Sequence, residues 1–143
     1  MKLAIYQLLA AFVASLGFSM YFGARRRFFF VCSLGGLLAW GVYLLTDLAF
    51  HSLFLSNFAA SAFAVLYAEI LARYLKSPAT LFVVPAILPL VPGGSLYYTM
   101  DAAVHGDLLE TKRLGSDTLI AALAIAAGIS LVMALRELQM KRQ

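Results

Sequence analysis

A chain of 143 residues, 63% of them apolar and only 13% charged, carries more apolar surface than a soluble core of this length could bury. Its mean hydropathy of +0.89 points instead to a bilayer, where lipid takes the place of a protein interior. The formal net charge of +4 does not argue for nucleic acid, because the basic residues form short clusters between apolar runs and read as orientation signals.

A membrane span needs about 20 mostly apolar residues. The first such run extends from about Leu3 to Phe22. Lys2 ahead of it resembles the start of a secretory signal, but Arg25-Arg26-Arg27 follows directly, which suits a cytoplasmic anchor better than a cleavage site. The second run, about Phe28 to Leu48, contains Cys32, the single cysteine, expected as a small buried hydrophobe. Trp40 in this run reads as packing or as an interface anchor, and Asp47 and His51 lie near its outer end. The third run covers about Leu53 to Leu75. Its Glu69 has Arg73 one turn later, which predicts a salt bridge near the cytoplasmic surface. The fourth starts near Thr80 and is interrupted by Pro85, Pro89, Pro92, Gly93 and Gly94. His105 and Asp107 are expected to begin an outer loop, and the fifth run extends from about Thr118 to Leu138. The connections are short. The expected fold is an all-α membrane protein of about five transmembrane helices, with residues 1–143 forming a single transmembrane domain.

Five spans place the first and third connections and the C-terminus on one side. That side collects Arg25, Arg26, Arg27, Arg73, Lys76, Arg136, Lys141 and Arg142, against Lys2, Lys112 and Arg113 on the other. The positive-inside rule then puts the N-terminus outside and the C-terminus in the cytoplasm. A four-span arrangement, with the Pro/Gly segment dipping in and returning, would place the C-terminal basic cluster on the wrong side.

Small residues recur at a spacing of four in two runs: Ser56, Ala60, Ala64, Ala68 and Ala72 in the third, and Ala122, Ala126, Ser130 and Ala134 in the fifth. Such residues share a helix face and let backbones approach closely, within this chain or against a second protein.

The interrupted fourth span carries most of the chemical information. Each proline removes a backbone donor and clashes with the carbonyl four residues earlier. Glycine at 93 and 94 permits backbone angles other residues avoid. Broken helix is tolerated in a bilayer only where protein or water surrounds it. Transporters use such breaks as sites, because a new half-helix begins with unpaired N–H groups and a positive dipole end suited to a carboxylate. Ser95 is the expected N-cap of the resumed helix. Tyr97, Asp101 and His105 would then share a face, with Asp101 a candidate proton carrier. A proline kink serving packing alone is the plainer alternative. No metal-ligand cluster, nucleophile elbow or Gly-rich phosphate loop is present, so neither an enzyme nor a cofactor is expected.

The run from Pro85 through Pro89 and Pro92 to Gly93-Gly94, followed by Tyr97-Tyr98-Thr99-Met100 and Gly106-Asp107, resembles the signature of the threonine/serine exporter family, in its short component equivalent to the C-terminal half of the single-chain exporters. Gly17-Phe18 before the basic turn, Gly35-Gly36 in the second span and Gly128 in an Ala-rich last span sit in the family's order. The resemblance implies export of threonine, serine or small carboxylates across a bacterial inner membrane, driven by the proton gradient. It also implies a longer five-span partner with a soluble region. Two five-span units of opposite topology would make an inverted repeat, a recurrent transporter plan. On this reading Pro92, Gly93, Gly94, Ser95 and Leu96 form the substrate site, through free N–H groups at Gly94 to Leu96. Tyr97 and Tyr98 line the path, and Asp101 handles the coupling proton. A non-transporting structural or assembly subunit is the first alternative; a membrane-embedded enzyme is the second.

Overall fold

The structure, a computed structural model, describes residues 2–140 and is helical throughout its main elements; Lys141 and Arg142 of the C-terminal basic cluster lie outside the described residues. In chain order the helices are α1 (Lys2–Tyr21), α2 (Phe29–Phe50), α3 (Leu53–Tyr74), α4 (Thr80–Ile87), α5 (Gly93–Val104) and α6 (Leu108–Met140), with short 3-10 turns at Arg26–Phe28 and Leu88–Leu90. The first three have 20, 22 and 22 residues. At about 1.5 Å per residue they match a hydrocarbon layer of about 30 Å. Among the described residues four helices are long and apolar enough to cross a membrane, and the α4–α5 pair, bent by 46°, makes a fifth if it counts as one span.

The turns follow from local chemistry. α1 ends on Gly23 at φ +69°, where Ala24 N–H reaches back to Ser19 O and Gly23 N–H to Met20 O. This double reach-back closes a helix with a left-handed glycine. Gly106, at φ +77°, closes α5 in the same way, through Asp107 N–H to Ala102 O and Gly106 N–H to Ala103 O. Only His51 and Ser52 separate α2 from α3, and the Ser52 side chain caps α3 at Leu55 N–H.

The core is built largely of small side chains. Ser56, Ala60, Ala64 and Ala68 are fully buried along α3, which packs on α2, α4 and α6. The small-residue ridge of the third span therefore serves packing within the chain. The α6 ridge does not. Ala122, Ala126, Ser130 and Ala134 are exposed, and α6 buries Ala121, Ala124, Ile125, Gly128 and Val132 instead. At Gly128 α6 lies tight against α3: a Cβ there would stand 2.6 Å from the Phe58 carbonyl oxygen and 3.1 Å from Ala62 N.

Glu69 does not pair with Arg73. Arg136 Nη1 donates to Glu69 Oε1 at 2.9 Å, joining the C-terminal parts of α3 and α6. Arg73 is exposed, whereas Glu69 faces α6 and is buried. Gly128 lies against Phe58–Ala62 and Arg136 against Glu69, so α3 and α6 run parallel. The α4–α5 segment between them must carry the chain from one end of the bundle back to the other.

α6 starts about ten residues before the position expected from hydropathy. Asp107 caps it, with Oδ1 accepting from Glu110 N–H at 3.0 Å. Glu110 and Arg113 then pair across one turn. These charges lower the hydropathy without breaking the helix. With 33 residues, α6 is about 50 Å long and extends past the first turn of α3.

Candidate functional site

Three prolines in α4 and the segment after it free three carbonyls, and the structure provides each with a donor. Pro85 has no N–H for the Leu81 carbonyl; Cys32 Sγ of α2 donates to it at 3.6 Å. Pro89 has none for the Pro85 carbonyl; Ser15 Oγ of α1 donates to it at 2.8 Å. Pro92 has none for the Leu88 carbonyl, which accepts from Val91 N–H at 3.2 Å in the 3-10 turn. Pro85 and Pro89 therefore leave the segment intact while docking it on α1 and α2. A Cβ at Gly36 would overlap Ser15 Oγ, and one at Gly35 would lie 2.8 Å from the Tyr67 ring and 3.3 Å from Ala86. The paired glycines of α2 are the space into which Ser15 and α4 fit.

The chain breaks at Pro92. Its φ of −76° and ψ of 54° form an inverse γ-turn, with Gly93 N–H donating to Val91 O at 2.7 Å. Pro92, not Ser95, stands at the N-cap of α5, and its carbonyl accepts from Leu96 N–H at 3.0 Å. Leu96 N–H is thus not free. Among the described residues no acceptor meets the N–H of Gly94 or Ser95, so these two remain of the expected donors. Gly93 and Gly94 do not need glycine for their backbone angles, since neither has positive φ. A Cβ at either would meet open space. What these glycines provide is room around the helix start.

That room belongs to a cavity of about 230 Å³ lined by Trp40 and Tyr43 of α2, Leu53 and Asn57 of α3, the 89–95 segment, and Asp117 and Ala121 of α6. It extends from Trp40, near the middle of α2, toward the end of the bundle where α3 begins. Its volume lies below the roughly 300–1,000 Å³ of pockets for drug-sized ligands and suits a small one. Asn57 is 3% exposed, and its Nδ2 donates to the Leu53 carbonyl at 2.8 Å. The indole Nε1 of Trp40 is buried without a hydrogen-bond partner.

The cavity brings together Pro92, Gly93, Gly94 and Ser95 but not the other predicted site residues. Leu96, Tyr97 and Tyr98 are exposed on α5, the tyrosines at 67% and 60% and in edge-to-face contact. Asp101 lies further along α5. Its Oδ1 is 3.5 Å from His105 Nδ1, and both side chains are exposed. α5 packs chiefly on α6 and buries only Ala102.

Sequence reasoning missed Asn57, Asp117 and the role of Trp40. Asn57 interrupts an apolar run, and a polar residue inside a span is itself a signal. Asp117 immediately precedes the stretch that hydropathy assigns to the last span.

The sequence profile of the family described as "Threonine/Serine exporter, ThrE" matches residues 7–135. No curated protein and no solved structure matches the chain. The matched stretch takes in the helices that form the bundle, the proline-docked α4 and the break at Pro92, and the chain, a multi-pass helical membrane protein, belongs to the threonine/serine exporter family.

Proposed function

We propose that the chain is the short component of a proton-driven exporter for threonine, serine or small carboxylates, acting with a longer component in a bacterial inner membrane. The observation that carries this reading is the break at Pro92, which opens the start of α5 onto a small cavity with the N–H groups of Gly94 and Ser95 unpaired. A helix start of this kind favours a carboxylate. Tyr97 and Tyr98 line the continuing path beside the partner, and Asp101, paired with His105, passes the coupling proton. The exposed faces of α5 and the α6 ridge support a partner requirement, since small residues on an open face let another helix approach closely.

The same exposed faces favour a second reading, a subunit that only supports assembly. Flux into proteoliposomes separates the two. The pair of components is expected to move threonine at a rate that rises with the proton gradient, and neither component alone is expected to do so. Asp101→Asn is expected to abolish the dependence on pH while substrate-for-substrate exchange continues. A normal pH profile in this variant would remove Asp101 from the coupling route. Equal flux by the longer component with and without this chain would leave the assembly reading in place.

A further inference from the structure

We propose that Asp117 binds the ammonium group of the substrate and thereby selects zwitterionic amino acids over plain carboxylates. The inference rests on the helix-break site proposed above and settles which of its two substrate classes fits.

Asp117 lies on α6 and lines the same cavity as the start of α5. The register of α3 and α6 places it about three turns before Gly128, near the start of α3. It is half-buried and has no ion pair among the described residues. The nearest cation in sequence on its own helix, Arg113, forks onto Glu110 on the preceding turn instead. The cavity therefore offers a carboxylate that makes no ion pair and two N–H donors without an acceptor. A plain carboxylate would satisfy the donors and be repelled by Asp117. An α-amino acid satisfies both, because its two charged groups are held a short, fixed distance apart.

Two further side chains with polar atoms border the cavity. Asn57, on the cavity wall and almost wholly buried, uses its Nδ2 on Leu53 O. Trp40, also on the wall, has its indole N–H buried and unpaired.

The test is ligand-induced thermal stabilisation of the full chain in detergent. Three probes are compared: L-threonine, 3-hydroxybutanoate, which lacks the ammonium, and 1-aminopropan-2-ol, which lacks the carboxylate. The wild type is expected to bind threonine at least tenfold more tightly than either analogue. Asp117→Asn, which keeps the shape, is expected to weaken threonine by about ten- to hundredfold while 3-hydroxybutanoate holds or gains, so that discrimination disappears. Circular dichroism confirms that the variant is folded. Unchanged preference for threonine in Asp117→Asn overturns the role of Asp117. Gly94→Val tests the underlying site separately, since its side chain would fill the open space at the helix start. If Gly94→Val removes binding but Asp117→Asn keeps the preference, only the Asp117 assignment fails. If Gly94→Val binds threonine normally, or if the wild type binds none, the site itself is wrong and the inference falls with it.

Discussion

Ser15 of α1 supplies a hydrogen bond that Pro89 cannot make. Proline at 89 cannot donate to the Pro85 carbonyl, and the buried Ser15 hydroxyl does so instead. Ser15→Ala should therefore destabilise the protein by about 1–3 kcal/mol, the cost of a buried carbonyl left unpaired. Inside a bilayer, water cannot make up the loss. In a Pro89→Ala background, the restored alanine N–H can reach the Pro85 carbonyl. There, removal of the serine hydroxyl should cost less than half as much. Unfolding of the four proteins of this cycle in mixed micelles measures the coupling. Equal costs in both backgrounds would mean that the bond contributes little. The prolines themselves are legible in the sequence, and so is the need to satisfy the carbonyls they free. Their donors are not, because Ser15 and Cys32 lie 70 and 49 positions away and only the folded packing brings them close. Gly93 and Gly94 show the reverse limit. Glycine pairs suggest unusual backbone angles, but these two adopt ordinary ones and serve by lacking a side chain.

Helix faces separate the two ridges of small residues. A spacing of four identifies which residues share a face, but not which face turns inward. α3 turns its ridge in and α6 turns its ridge out, with Gly128 on the opposite, buried face. Gly128→Ala should then destabilise the chain itself, by about 1–3 kcal/mol, because the methyl group would press on the backbone of α3 at Phe58 and Ala62. Ala126→Leu adds bulk where no neighbour in this chain lies, so it should leave stability within about 0.5 kcal/mol of the parent. Its effect is expected in recovery of the longer component on co-purification. If Ala126→Leu co-purifies as well as the parent, the outward ridge is a lipid-facing surface. Hydropathy also hid the first ten residues of α6. It reports affinity for lipid rather than helicity, and Glu110, Lys112 and Arg113 lower it while Asp107 caps a continuous helix.

For the whole molecule, the number of crossings depends on what the bent α4–α5 pair does. A re-entrant loop would return the chain to the side it came from, whereas a broken span would carry it across. The parallel course of α3 and α6 favours the crossing, because Arg136 and Glu69 meet at the same end. Sequence alone suggested five spans from the distribution of Lys and Arg; the ion pair adds a reason independent of charge counting. Arg27 and Lys76 border one surface pocket and Arg73 and Arg136 another, both at that end. The positive-inside rule therefore predicts that this end faces the cytoplasm. Reporter fusions test the arrangement at two points. A fluorescent protein fused after Gln143 should fold and emit, while a periplasmic phosphatase fused there should be inactive. A phosphatase inserted at Gly106, in the turn between α5 and α6, should be active. Activity after Gln143 together with silence at Gly106 would identify a re-entrant fourth segment.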